Sequence, residues 1–207
     1  MCAWQSTVHV QMISHFDSLP VSTFQASHVV MSVTKLLSRV IAPAELEEQL
    51  IVNKSADSLC HDHTYGLTSD PLTLFACAFS ALIHDVDHLG VPNTQLVEEK
   101  TETAQYYNNR SVAEQNSLDL AWNLLMEQQF DQLRAAIYSN QEERRRFRAL
   151  VVNAVMATDI ADKDLKSLRN ARWNKAFKLG DATDYVDDNP KDEIDRKATI
   201  VIEHSTL

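Results

Sequence analysis

The sequence is poor in the residues that make tight turns. Its 207 residues include only 3 Gly and 5 Pro. A β-sandwich or β-barrel needs many short turns, so this scarcity disfavours an all-β fold. Hydrophobic residues make up 44% of the chain and charged residues 23%, which are values of a globular protein able to bury a core. The composition therefore favours a helical domain of ordinary size.

Positive charge is also scarce. Lys and Arg number 19 against 29 Asp and Glu, which gives a net charge of −10. Such a surface repels phosphate backbones, so we expect no nucleic-acid partner. An anionic substrate would need a local positive centre, for which a metal ion is the obvious candidate.

Cysteine pairs and long apolar runs are missing as well. The three cysteines, Cys2, Cys60 and Cys77, share no metal-type spacing and form no even framework, which fits a reducing compartment. No run is long enough for a membrane span, and residues 1–20 lack the pattern of a signal peptide. We therefore expect a cytoplasmic chain without a membrane span, whose tether, if it has one, belongs to a larger membrane-tethered protein.

The hydrophobic pattern predicts an irregular arm at residues 1–20 and one all-α domain over residues 21–207. We expect a helix from about Gln25 to Pro43 and a second one that begins at Asp70-Pro71, with Asp70 as N-cap. Two capping boxes predict further helix starts, and Arg144–Arg146 is expected on a solvated helix face. These boxes are Ser111-Val-Ala-Glu114 and Ser139-Asn-Gln-Glu142, and later helices are predicted over 162–179, ending at Gly180, and after Asn189-Pro190.

The most informative stretch is the string H-D-x-D-H-x-G-x-x-N at the end of the second helix. His84 and Asp85 offer an imidazole and a carboxylate to one point, a donor set that suits zinc, magnesium or manganese. His88 lies four residues after His84, so it faces the same cavity if the helical turn persists. Gly90 permits a sharp exit, and Asn93 is expected to hydrogen-bond back and close the turn. The dipeptide alone is a weak signal, whereas the complete string after an apolar helix is specific.

This string resembles the metal-site signature of the class I cyclic nucleotide phosphodiesterases, a family within the HD phosphohydrolase superfamily. Two later segments, Tyr107–Asn116 and Val155–Asp159, resemble the family's Y-N-x-x-S-V-L-E-N and V-L-A-T-D segments. The resemblance covers roughly residues 21 to 204 and implies an all-α domain that hydrolyses cAMP or cGMP to the 5′-monophosphate. It also implies divalent metal ions, zinc together with magnesium or manganese, and a cyclic nucleotide as the substrate.

The resemblance assigns a role to each matching position. His84 and Asp85 match metal ligands, and Asp85 also serves the second ion. Four further residues match the shell that orients metal-bound water and supports the site: His88, Asn93, Glu114 and Asp159. Two local alternatives stay open, since Glu114 could close the capping box with Ser111, and Asp159 could be the N-cap of the next helix.

The upstream motif of the family departs from its pattern here. The family has H-N-x-x-H-A-x-D-V, in which the first His is the general acid and the second a metal ligand. Val21 stands at the acid position, Gln25 at the ligand position and His28 at the position of the Asp. Valine cannot donate a proton and glutamine is a poor ligand. We expect His28 to support the site or to lie in the core rather than to replace the ligand.

A second gap lies at the C-terminal end. The family's last metal-ligand Asp follows a segment resembling 198–204, and the chain stops at Leu207, so we expect the C-terminal part of the domain to be missing. Losing a general acid costs roughly 10²–10⁴-fold in rate, and losing ligands weakens metal binding further. The sequence thus predicts a phosphodiesterase by family whose isolated chain is weak or inactive. The alternatives are a degenerate, non-catalytic interaction or regulatory domain and, third, another HD-type nucleotide phosphohydrolase.

Overall fold

The computed structural model describes residues 23–38, 67, 70–177 and 197–202, with side chains from residue 26 onward in the first of these ranges. The predicted arm at 1–20, the acid position Val21, the side chain of Gln25 and the helix end at Gly180 lie outside that description. The described helices are α1 (Thr23–Leu37), α2 (Pro71–Ile83), α3 (Asn93–Glu98), α4 (Glu102–Tyr106), α5 (Val112–Leu125), α6 (Asp131–Ile137), α7 (Gln141–Met156) and α8 (Lys163–Phe177), with a 3₁₀ turn at Gln128–Phe130 and further helix at 197–202.

The all-α prediction is confirmed, because the described residues contain helices and no strand. Helix α2 lies at the centre, packed against α1 and α7, while α5 contacts both α7 and α2. The short helices α3 and α4 pack on α5. None of the helices in the described ranges is long and apolar enough to cross a bilayer.

Phe147 of α7 forms the centre of the hydrophobic core. Its side chain is fully buried, and four aromatic rings lie around it with centroid distances of 5.6–6.4 Å. These rings belong to Phe75, Phe79, Trp122 and Tyr138. Since the rings come from α2, α5, α7 and the residue after α6, this cluster ties together the helices that carry the candidate site.

The start of α2 follows the sequence prediction. Asp70 is the N-cap and accepts a hydrogen bond from the backbone N–H of Leu72 at 3.2 Å, with Pro71 in the first turn. The same carboxylate pairs with Arg146 of α7 at 2.5 Å. The expectation of a solvated arginine run is therefore wrong for Arg146, because folding brings its guanidinium onto the N-cap of a neighbouring helix.

Both predicted capping boxes are corrected by the structure. Ser111 makes no side-chain capping bond and adopts a left-handed conformation with φ 38°. At α7 the cap is Asn140, one residue later than predicted, and its side chain accepts from the N–H of Glu143 at 2.9 Å. The Glu143 carboxylate in turn accepts from the N–H of Ser139 at 2.7 Å, so a reciprocal pair exists in a shifted register.

Candidate metal centre

Helix α2 delivers His84 and Asp85 to the site. The helix ends at Ile83, and His84 is its C-cap, donating its backbone N–H to Ser80 at 3.0 Å. The chain then turns sharply: Asp87 and Gly90 both have positive φ, 60° and 74°. Gly90 thus performs the exit role that the sequence predicted, since a side chain is strained in that conformation.

The imidazole of His84 is held at both ring nitrogens. Its Nδ1 lies 3.0 Å from the carbonyl oxygen of Ala81, and its Nε2 lies 3.1 Å from Oδ2 of Asp85. A carbonyl and a carboxylate only accept hydrogen bonds, so both ring nitrogens carry a proton in this arrangement, and a metal ion bound at Nε2 would replace the proton there. The bond from Nδ1–H to a carbonyl is how metal-binding histidines are usually oriented. One nitrogen and one oxygen therefore converge on a single point.

The pair also shifts its own pKa values. Burial disfavours the charged imidazolium, but the hydrogen bond and the negative charge of Asp85 outweigh it, so the pKa of His84 is raised. The hydrogen bond from His84 lowers the pKa of Asp85 against the opposing effect of burial, and the nearby His88 lowers it further. Asp85 is therefore an ionised oxygen donor over the whole physiological pH range.

His88 reaches this region by another route than the one predicted. The helix does not persist to His88, so the four-residue helical spacing to His84 does not apply. Instead the turn brings it near Asp85 and Glu114, whose pKa values it affects electrostatically. Its Nδ1 accepts a hydrogen bond from the N–H of Gly90 at 2.9 Å. In the neutral ring this leaves the proton on Nε2.

Asn93 joins three parts of the chain. Its Oδ1 accepts from the N–H of Ala113 at 2.9 Å, and its Nδ2 donates to Oε2 of Glu114 at 2.8 Å and to Oδ2 of Asp159 at 3.4 Å. The expectation that Asn93 closes its own turn is wrong, because its side chain forms its hydrogen bonds with α5 and with the segment after α7.

The carboxylates of Glu114 and Asp159 make different contacts. Glu114 does not form the predicted box with Ser111, and its pKa is raised by burial and by nearby Asp159 although the bond from Asn93 opposes this. Asp159 accepts from the N–H groups of Ala161 and Asp162 through Oδ1, while Oδ2 faces Asn93. The N-cap position before α8 belongs to Asp162, whose Oδ1 accepts from the N–H of Leu165 at 2.9 Å.

Sequence reasoning missed two residues of α5. Ser117 donates its hydroxyl to the carbonyl of Val86 at 2.6 Å, and Asn116 donates its amide to Oδ2 of Asp87 at 3.0 Å. Both bonds end on the turn that follows His84 and Asp85. The available signal was Ser117 itself, a small polar residue three positions after Glu114. It lies on a helix whose other buried residues are Val112, Ala121 and Leu125.

The described donors fit a divalent ion only in part. His84 Nε2 and Asp85 Oδ2 form a suitable nitrogen and oxygen pair, but the described residues contain no group of three His, Cys, Asp or Glu side chains that could hold a metal. Magnesium commonly keeps several waters and one or two carboxylates, whereas catalytic zinc usually has three protein ligands. His28 is exposed on α1, so it is not a core histidine.

Comparisons with known proteins agree on one family. Residues 27–203 match the family model described as 3′5′-cyclic nucleotide phosphodiesterase. A mouse protein, the dual specificity calcium/calmodulin-dependent 3′,5′-cyclic nucleotide phosphodiesterase 1C, is 35% identical over 102 residues, which cover 48% of this chain and 14% of that protein. The 3′,5′-cyclic-AMP phosphodiesterase, isoform F, of Drosophila melanogaster is 38% identical over 93 residues, 44% of this chain and 13% of its own. The matched region is thus a small part of these relatives.

Solved structures show the same fold. The crystal structure of the phosphodiesterase domain of the RhoPDE fusion protein from the choanoflagellate Salpingoeca rosetta aligns with a TM-score of 0.52. The alignment covers 92% of this chain and 64% of that one at 23% sequence identity. At this identity the likeness concerns the fold, and it extends over nearly the whole chain.

Proposed function

The chain belongs to the 3′5′-cyclic nucleotide phosphodiesterase family, and on this premise we propose that its metal centre is part of a site that hydrolyses cAMP, cGMP or both to the 5′-monophosphate. The observation that carries the proposal is the convergence of His84 Nε2 and Asp85 Oδ2 at the end of α2. We propose that the family-matching residues His88, Asn93, Glu114 and Asp159 support this pair.

The family depends on divalent metal ions, and we propose zinc together with magnesium or manganese as the ions of this site. His84 and Asp85 would hold them, Asp85 serving both. A bound divalent ion supplies positive charge for the phosphate and activates water for attack. This charge also answers how a chain of net charge −10 accepts an anionic substrate.

The chain's own groups are suited to distinct tasks. Asp85 stays ionised because its pKa is lowered, and the bond to Ala81 keeps the His84 ring oriented. Glu114 has the opposite shift, so it accepts a proton more readily than an ordinary glutamate. Asn93 holds the carboxylates of Glu114 and Asp159 at one place.

We further propose that this polypeptide by itself hydrolyses cyclic nucleotides weakly or not at all. By the family resemblance, Val21 occupies the acid position and Gln25 a ligand position. A missing general acid alone lowers the rate by roughly 10²–10⁴-fold. We therefore expect the purified chain to bind Mn²⁺ or Zn²⁺ weakly through His84 and Asp85 and to turn over little substrate.

Metal titration and hydrolysis assays with both cyclic nucleotides test this function. The variant His84→Ala with Asp85→Ala should lose Mn²⁺ binding, whereas the exposed His28→Ala should keep it. Restoring the motif with Val21→His and Gln25→His should raise metal-dependent turnover by roughly 10²-fold. Wild-type Mn²⁺ binding that survives in the double alanine variant would contradict the proposed site. If the chain binds the ion but the restored variant stays inactive, the non-catalytic alternative is favoured.

A further inference from the structure

Helix α5 lies across the turn that carries the metal-binding pair. Ser117 is fully buried, and its hydroxyl donates to the carbonyl of Val86 at 2.6 Å. One residue earlier, the Asn116 amide donates to Oδ2 of Asp87 at 3.0 Å. The two bonds join positions 29 and 31 residues apart in the chain. Adjacent side chains of α5 thus bind adjacent residues of the turn.

The turn needs such support because it is not held by regular helix bonds. The N–H groups of Val86 and His88 donate to the carbonyls of Ile83 and Asp85, three and not four residues back, at 3.1 Å each. Asp87 has φ 60°, a left-handed conformation that is strained for a residue with a side chain. A conformation of this kind persists when surrounding contacts determine it.

Ser117 also resolves a burial problem. Val86 is buried in the main core cluster, so its carbonyl would be removed from water without a partner if the serine hydroxyl were absent. An unsatisfied buried carbonyl favours a different backbone arrangement. Asn116 acts on the next residue, where its bond keeps the carboxylate of Asp87 turned toward α5.

We propose that Asn116 and Ser117 are positioning residues, which hold the turn 84–88 so that His84, Asp85 and His88 face one site. The part of this inference that concerns metal affinity rests on the proposed function. The part that concerns the conformation of the turn does not, since both bonds join groups of the chain itself. The two parts can therefore be tested separately.

Exchanging the two partners gives the sharpest variant. Asn116→Asp alone places two carboxylates against each other and removes the donor. Adding Asp87→Asn restores one donor and one acceptor with their positions reversed, and asparagine tolerates the left-handed conformation as well as aspartate does. Ser117→Ala removes the second bond. Its matched control is Ser80→Ala, because Ser80 is also buried and its hydroxyl donates to Ala76 at 2.7 Å within α2. The backbone bond from the N–H of His84 to the carbonyl of Ser80 remains in this variant.

Hydrogen exchange of the metal-free chain is the first measurement. We expect the amides of His88 and Gly90 to lose protection about tenfold in Asn116→Asp and in Ser117→Ala, which is the effect of one lost hydrogen bond. The double variant Asn116→Asp with Asp87→Asn should regain protection, and Ser80→Ala should not change the protection of these two amides. A uniform loss that includes the α7 amides, or no loss in either variant, would overturn the positioning role.

Mn²⁺ affinity is the second measurement. Mutation of residues that orient metal ligands typically lowers metal affinity by roughly 10–100-fold, so Asn116→Asp should weaken Mn²⁺ binding by at least about tenfold. The double variant Asn116→Asp with Asp87→Asn should recover the affinity. Wild-type affinity in Asn116→Asp would overturn the inference. A wild-type chain that does not bind Mn²⁺ at all would instead contradict the proposed function. The hydrogen-exchange measurement would still decide whether α5 positions the turn.

Discussion

Replacing Asn93 should destabilise the domain far more than replacing an ordinary capping asparagine. Asn93→Ala removes the acceptor of the Ala113 N–H and the donor to the half-buried Glu114 carboxylate. A bond to a charged group contributes about 1.5–3 kcal/mol and a neutral one about 1 kcal/mol, while the 3.4 Å contact with Asp159 adds little. The free energy of unfolding should therefore fall by about 3 kcal/mol.

Asn140→Ala is the matched control. Asn140 is exposed, and its Oδ1 accepts from the N–H of Glu143 at 2.9 Å, as that of Asn93 does from Ala113. Loss of such a cap alone costs about 1 kcal/mol. Urea unfolding followed by circular dichroism at 222 nm measures both variants. In thermal unfolding, 3 kcal/mol corresponds to about 6–12 °C for a domain of this size. Equal losses in the two variants would refute the view that Asn93 joins α5 to the segment after α7.

Asn93→Asp adds a pH test of the same contact. This variant keeps the acceptor for Ala113 but sets a third carboxylate beside Glu114 and Asp159, so the pKa of Glu114 should rise further above its usual value of 4.5. A carboxyl whose folded pKa is raised stabilises the fold below the unfolded pKa, and this contribution is lost as pH rises through the folded pKa. The deficit of Asn93→Asp should be largest near neutral pH and shrink toward pH 4.5. A deficit that grows on acidification would contradict the geometry.

Three other predictions concern the core and the start of α2. Asp70→Asn keeps the cap but removes the ion pair with Arg146, so it should cost about 1–3 kcal/mol at neutral pH. Burial raises the pKa of Asp70, but the bonds from Arg146, Thr73 and the N–H of Leu72, together with the charge of Arg146, outweigh it, so this pKa is lowered. Because a lowered folded pKa gives stability that is lost as pH falls through it, the wild type and Asp70→Asn should converge below pH 3.8. Phe147→Ala should cost about 3–5 kcal/mol in urea unfolding and Phe147→Leu clearly less, and equal costs would argue against the aromatic cluster. Burial raises the pKa of Cys77 to about 12, so at pH 8 iodoacetamide should alkylate it only in the unfolded chain, as peptide mass mapping can check.

Much of α2 could be predicted because its signals are local. Asp70 caps a helix whose first residue is Pro71, and both effects act within one turn of chain. The buried side chains of α2 include the apolar residues Ala76, Phe79 and Ile83. The two predicted capping boxes were wrong because the pattern S-x-x-E shows only which residues are able to cap a helix. In the structure Glu114 is bound by Asn93, and Asn140 rather than Ser139 caps α7.

By itself, the sequence determined that the chain is helical and that His84 and Asp85 follow each other at the end of an apolar helix. It also determined the family, through motifs that need no coordinates to be recognised. Only the tertiary structure decided which distant polar groups meet there. Asn93 bonds to Glu114 and Asp159 across 21 and 66 residues, and Ser117 bonds to Val86, because α5 packs against α2, α3 and α7 and so brings these groups within hydrogen-bond distance. The short-range sequence pattern cannot select such partners, since each polar side chain has many possible partners along the chain and the tertiary packing decides which of them lie within reach.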